Sequence, residues 1–228
     1  MKNQQKTLKM IKFDPPINHI CFDLDGTLVK SHKTIYKTTV KALTDLKIPT
    51  VNLDEAHFYE RIGHHFEDIF SEFNIPVNDF ETFINVYKNQ YFDFIDESTL
   101  YEGTEETLEN LKSRNILTSL LTTKGQEQAK KIINHFNMKN YFDLVTGRRN
   151  GVEHKPSPEP LLLICDELNV KPEETVMVGD TELDIACGKN AGSKTCAVTY
   201  GYRTKKILEE QEPDLIINSI TDLINLNI

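Results

Sequence analysis

From Tyr101 onward the chain alternates short apolar runs with stretches of helical pattern, and no other feature limits its possible folds so tightly. Strand-length apolar runs fall at residues 116–122, 142–146, 175–178, 194–198 and 214–217, with helical segments filling the gaps. Alternation of this kind implies right-handed crossovers and a parallel sheet covered by helices on both faces. A further strand lies upstream at 17–24, where Ile17, Ile20, Cys21, Phe22 and Leu24 suggest burial on both faces.

Between that strand and the alternating region the pattern changes. Phe66, Ile69, Phe70 and Phe73 fall at helical spacing, and so do Phe80, Phe83, Ile84, Tyr87, Tyr91 and Phe94. These stripes read as the shared core of packed amphipathic helices, with no ligand role. The helical stretch leaves and re-enters the sheet unit at two linkers, near residues 30–33 and 98–102. The expected division is a polar N-terminal leader at 1–16, an α/β unit built from 17–33 and 99–228, and a helical insertion at 34–98.

Composition narrows the function. Hydrophobic residues at 39% and charged residues at 27% supply a real core, so the chain is expected to fold alone. The formal net charge of −9 disfavours the extended basic surface that nucleic-acid phosphates require, so no nucleic-acid partner is expected. An anionic small molecule would then need local positive charge inside an acidic protein, which gives Lys155 its interest. Cys21, Cys165, Cys187 and Cys196 are widely spaced and show no ligand pattern, as buried structural thiols in a reducing compartment would. No segment approaches the ~18 apolar residues of a membrane span and the N-terminus lacks a secretory signal. The expectation is a cytoplasmic protein with no membrane partner. Nothing in the sequence sets an oligomeric state.

Four polar signals stand where apolar runs end or helices begin: Asp23-Leu24-Asp25-Gly26-Thr27, Thr122-Thr123-Lys124, Lys155-Pro156-Ser157-Pro158, and Gly179-Asp180 with Asp184 beyond. In a parallel sheet the ligand crevice lies outside the carboxyl ends of the strands, and neighbouring strands are ~5 Å apart, so all four can converge on one site. Phosphate-ester cleavage would find each of its roles there. Asp23 is an oxygen nucleophile able to form an acyl phosphate. Asp25, on the same face of an extended segment, could protonate the leaving alkoxide and then activate water. Asp180 offers a hard oxygen ligand for magnesium, which usually keeps several waters, and Asp184 can support those waters. Thr122 and Lys155 would donate to the transferring phosphoryl group.

The stretches FDLDGTL (22–28), LLTTKG (120–125), HKPSPEPL (154–161) and VGDTELDI (178–185), in this order, resemble the four motifs of the haloacid dehalogenase superfamily. Tyr101-Glu102-Gly103-Thr104, Lys189-Asn190-Ala191-Gly192, Tyr200-Gly201-Tyr202 and the segment from Pro213 to Ile217 are similar to the phosphoglycolate phosphatase branch. The resemblance covers nearly the whole chain after residue 16. It implies a Rossmann-like core with an inserted helical cap. It also implies Mg2+ bound by Asp23, the backbone carbonyl of Asp25, and Asp180, with Thr122, Thr123 and Lys155 around the phosphate of a small phosphorylated metabolite. Two positions depart from the branch: Thr123 stands where many relatives have asparagine, and Lys30 where they often have aspartate. Neither change removes a catalytic group.

Gly63-His64-His65 sits between two helices of the insertion, where the family carries its specificity loop. His64 and His65 lack spaced partners and read as solvated loop residues rather than metal ligands, and with Arg61 they are candidate contacts between the insertion and a substrate. Arg61 is a candidate for meeting a substrate carboxylate. Three rivals share this pattern: a phosphosugar mutase, a pyrophosphatase, and a catalytically silent relative that binds a phosphorylated ligand.

Overall fold

A computed structural model gives the structure of the protein over residues 13–226. In chain order, β1 (His19–Phe22) leads through a short strand β2 (Val29–Lys30) into the helices α1 (His32–Asp45), α2 (Glu55–Arg61), α3 (Phe66–Glu72) and α4 (Phe80–Gln90) and a 3-10 run at Tyr91–Glu97. A second short strand, β3 (Thr99–Leu100), then pairs antiparallel with β2. Beyond it come α5 (Thr104–Ser113), β4 (Leu117–Gly125), α6 (Gln126–His135), β5 (Leu144–Arg148), α7 (Glu159–Glu167), β6 (Thr175–Gly179), α8 (Glu182–Asn190), β7 (Lys194–Val198), α9 (Lys205–Glu210) and β8 (Leu215–Ile217).

Six strands form one parallel sheet in the order β5-β4-β1-β6-β7-β8. The chain moves outward from β1 through β4 to β5, then returns to the other side of β1 and continues through β6, β7 and β8. The carboxyl ends of β4, β1 and β6 therefore border the crevice where strand order reverses, the usual ligand position in such sheets. The fold is α/β, as the alternation predicts, and Rossmann-like, as the resemblance implies. β4 runs three residues past its expected end, to Gly125, with a register irregularity after Leu121. β5 begins later than expected because Asp143 is held outside the strand, its backbone N–H bonded to Thr118 O and its carboxylate to Thr118 N, both at 2.8 Å.

Asparagine, rather than glycine, ends many of the helices. Asn74, Asn115, Asn137 and Asn169 have φ between 52° and 56° just beyond α3, α5, α6 and α7. Asparagine tolerates this left-handed conformation better than other side chains, so each position turns the chain back toward the next element. At helix starts, Asp54 accepts the His57 N–H at 2.8 Å and Asp79 the Thr82 N–H at 3.0 Å, capping α2 and α4.

The aromatic stripes pack α3 against α4. Phe83 is fully buried, edge-on to Phe66 and Phe70 at centroid distances of 5.0 and 4.9 Å, and each such pair adds about 0.5–1.5 kcal/mol beyond its buried area. The four cysteines are all buried and free, as their spacing predicts. Among the described residues no helix is long and apolar enough to cross a membrane. Of the expected polar leader, residues 1–12 lie outside those described, and Phe13 is buried in the core rather than solvated.

His19, in the most buried strand, has no access to solvent. Its ring nitrogens meet Ser119 Oγ on β4 at 2.8 Å and Thr175 Oγ1 on β6 at 3.1 Å, so a neutral imidazole bolts the three central strands together. Burial lowers its pKa from 6.5 to about 4. The unfolded chain takes up a proton near pH 6.5 and the native state resists until about 4, so this contribution to stability is complete above 6.5. It is lost as pH falls, by about 3 kcal/mol near pH 4. Urea titrations across this range should show the loss in the wild type, with His19→Asn lacking about one proton of that dependence.

Candidate active site

The chain leaves β1 at Asp23, whose N–H still bonds Val178 O of β6 at 2.9 Å, so the carboxylate is fixed at the sheet's rim. A tight turn follows, closed by Gly26 N–H to Val29 O at 2.9 Å. Gly26 has φ +89°, and a Cβ there would collide with the Asp180 carboxylate. Only glycine lets the turn cross so close to that acid. Asp180 follows β6 directly. It is fully buried and accepts the Tyr202 N–H at 2.7 Å and the Thr27 hydroxyl at 3.4 Å.

Lys155 reaches this group from the loop before α7. Its ammonium donates to Asp23 Oδ1 at 2.6 Å, to Asp184 Oδ1 at 2.6 Å and to Leu121 O at 3.1 Å. Three donors meet three acceptors, so the buried ammonium is satisfied. Asp184 is held in turn: its Oδ2 accepts the Thr181 N–H at 3.0 Å and the Thr181 hydroxyl at 2.6 Å in the capping box of α8. A Cβ on Gly179 would strike Asp184, so this strand end also depends on glycine. Asp184, expected to support metal waters, stands in the same acidic cluster as Asp23 and Asp180. In the structure its carboxylate is used in orienting Lys155 and closing the helix start.

Burial raises the Asp23 pKa to about 7, Lys155 opposing the shift while Asp184 and Asp25 add to it. Asp180 is pushed well above its ordinary value, first by burial and then by Asp23 and Asp184. For Lys155, burial acts downward, but the Asp184 and Asp23 carboxylates outweigh it and raise the pKa. The ammonium is bonded to two of the three buried carboxylates Asp23, Asp180 and Asp184, whose oxygens come within 4.8 Å of one another. Buried charge without compensation is costly, and the excess here is negative and made of hard oxygen donors. A divalent cation of the magnesium type fits that deficit.

Asp25 is half-buried, with Oδ1 accepting the Ser31 hydroxyl at 2.5 Å and Oδ2 lying 3.4 Å from Lys124 Nζ. The Tyr202 hydroxyl contacts both Ser31 N and Ser31 Oγ at 3.0 Å. Asp23, Asp25, Thr123, Lys124 and Lys155 share the floor of a cavity of about 480 Å³, roofed by α3, α4 and the turn before α3.

The sequence model of the family described as haloacid dehalogenase-like hydrolase matches residues 20–198. The chain belongs to this family. This haloacid dehalogenase-like hydrolase is 34% identical over 209 residues to the phosphoglycolate phosphatase of Aquifex aeolicus, with 91% of this chain and 95% of the relative covered. It is 33% identical over 216 residues to the pyrophosphatase PpaX of Bacillus mycoides, again with 91% and 95% covered. Among solved structures, a haloacid dehalogenase-like hydrolase from Bacteroides fragilis matches at a TM-score of 0.83 and 27% identity, over 91% of this chain and 99% of that one.

Other expected positions fall differently within the hydrolase. Thr122 is buried, its Oγ1 accepting the Lys124 N–H at 3.3 Å, and Thr123, Lys124 and Gly125 are the residues of that strand end lining the cavity. Arg61 does not line it. Its guanidinium is bonded to Glu72 at 2.7 and 3.1 Å, because the two residues face each other across α2 and α3. His64 and His65 do line it and are not solvated loop residues: His64 bonds Glu182 Oε1 at 2.8 Å, and His65 packs edge-on to His154 at 4.5 Å. The aromatic stripe is only partly core. Phe66, Phe80 and Ile84 are half-buried because they form the cavity wall, a face that helical spacing alone does not separate from the packed one.

Sequence reasoning passed over Lys124, Gln128 and Arg203. Lys124 stands in the LLTTKG stretch itself and lies 4.3 Å over the Tyr91 ring. Gln128 on α6 turns a buried, unpartnered amide nitrogen at the cavity wall. Arg203, nearly fully buried, donates to Glu182 Oε2 at 2.7 Å and to Ile62 O at 3.1 Å, clasping the turn that carries His64. Nothing in the local sequence marks it.

Proposed function

We propose that this hydrolase releases phosphate from a small phosphomonoester through a covalent phosphoryl group on Asp23, with Mg2+ as cofactor. The observation that carries the reading is the Asp23 carboxylate at the cavity floor, its Oδ1 held by buried Lys155, beside the uncompensated Asp180. Asp23 Oδ2 forms the new bond to phosphorus as the bond to the ester oxygen breaks, and Asp25 gives that oxygen a proton. Asp25 then takes a proton from water, whose oxygen attacks phosphorus and frees Asp23. Lys155 and the Thr123 and Lys124 side of the floor hold the phosphoryl oxygens. Asp23, Asp180 and the backbone carbonyl of Asp25 would hold the magnesium ion, which would neutralise phosphoryl charge as it shifts between oxygens.

Residues 34–98 act as a cap over the floor, joined to the sheet unit through the β2–β3 ribbon and the His64–Glu182–Arg203 clasp. The four free, buried cysteines support a cytoplasmic site of action. A diphosphate is the second reading, supported by the name of the Bacillus relative; the phosphate-bearing product separates hydrolysis of an ester from hydrolysis of a diphosphate or from mutase chemistry.

Magnesium in about hundredfold excess over its Kd should raise the thermal midpoint by about 5–10 °C. Asp180→Asn should lose most of that shift, and a chelator should stop phosphate release by the wild type. A protein that hydrolyses esters equally well in chelator, and whose melting ignores magnesium, would contradict the proposal.

A further inference from the structure

Resting on the phosphatase reading, we infer that the cavity selects phosphomonoesters of apolar alcohols, with a chain of about six or more carbons or a ring lying between the catalytic floor and helices α3 and α4. Three observations carry this. The first is size. A diphosphate or a phosphoglycolate has about nine heavy atoms, and even at the roughly 30 Å³ that a water occupies in the liquid these fill about 270 Å³. The cavity holds about 480 Å³. Either molecule leaves nearly half of it to water or void.

The second is the chemistry of the remainder. The floor is polar, and the helical side carries the apolar Phe58, Ile62, Phe66, Phe80 and Ile84 among His64, His65, Glu67, Glu81 and Lys88, with Leu183 of α8 beside them. Phe66, Phe80, Ile84 and Leu183 are only half-buried, and all four line this cavity. Such a surface gains nothing from a second anion and gains steadily from each methylene laid against it.

The third is the placement of positive charge. Among the described residues lining the cavity, the lysines withdrawn from solvent are Lys155 and Lys124, and both belong to the floor. Lys88, Arg148 and Arg149 are exposed, and His64 is tied to Glu182. Glu67 and Glu81 also border the cavity on the wall side. A second phosphate or a carboxylate pointing away from the floor would meet apolar carbon, acid and the Gln128 amide, with no buried cation to receive it.

The experiment is a series of straight-chain alkyl phosphates from ethyl to hexyl, with diphosphate and phosphoglycolate beside them, read by phosphate release with magnesium present. The alcohols are nearly equal as leaving groups, so changes along the series report binding. Expected is a rise in kcat/KM of about threefold per methylene, about eighty-fold from ethyl to hexyl, carried mainly by KM. Hexyl phosphate should also exceed diphosphate and phosphoglycolate. In Ile84→Asn, with folding checked by circular dichroism, the hexyl-to-ethyl ratio should fall at least about tenfold. A flat or falling wild-type series with phosphate still released, or a preference for diphosphate or phosphoglycolate, overturns the inference and leaves ester or diphosphate hydrolysis standing. An unchanged ratio in folded Ile84→Asn overturns the placement of the chain on this wall. No release from any ester by folded protein overturns the phosphatase reading, and the inference with it.

Discussion

Asp23→Asn should lower kcat for phosphate release by at least about 10⁴-fold, since the amide has no anionic oxygen with which to form the covalent intermediate. The same substitution should leave the thermal midpoint in chelator unchanged or higher. Asp23 contributes a buried negative charge to a group that already holds Asp180 and Asp184 against a single lysine, and its own carboxyl is pushed to about 7 mainly by burial. Removing that charge relieves repulsion, while Lys155 keeps Asp184 and the Leu121 carbonyl as acceptors. A structural carboxylate would behave oppositely, with stability falling and turnover persisting. Melting curves and single-turnover assays on one preparation decide between them, and phosphate release at the wild-type rate would remove Asp23 from the nucleophile's role.

Lys155→Met should be the most destabilising substitution in the site, costing about 3–5 kcal/mol by urea unfolding near neutral pH. The methionine fills much of the space but abandons two carboxylates that are nearly or wholly inaccessible to solvent. Without the ammonium Asp23 loses its counter-charge, so its folded-state pKa, already raised by burial, rises further above the unfolded one. The penalty grows as pH climbs above the ordinary carboxylate range and shrinks toward acid, where Asp23 binds a proton. The unfolding midpoint of the variant should accordingly recover relative to wild type between neutral pH and about pH 5. A penalty independent of pH would mean that lost packing, rather than stranded charge, governs the site.

Much of this arrangement was legible because strand ends announce themselves. An apolar run followed by aspartate places Asp23 and Asp180 at the rim of a parallel sheet, and their partners follow from the order of the motifs. Where the partner lies far along the chain, the signal vanishes. Tyr202 reaches Ser31 beside Asp25 from 171 positions away, and His19 owes its burial to hydroxyls 100 and 156 positions distant. A histidine in a short strand gives no local sign that its two polar neighbours will arrive from both sides. Arg61 illustrates the reverse limit: its charge suggested a ligand, but Glu72 on the adjacent helix is nearer and already ordered. Helical spacing located the aromatic stripe and could not assign its faces, because periodicity reports which residues share a side, and an empty chamber and a packed neighbour are both apolar surroundings.

The position of β1 has a consequence for how the protein is made. The strand that leads into Asp23 precedes both of its hydrogen-bonding flanks, β4 and β6, which end at residues 125 and 179. During translation one edge of this apolar ribbon stays open until β4 has left the ribosome, and the other until most of the polypeptide exists. β1 thus emerges before either of its flanks and is sheltered on both edges only once β6 has followed it.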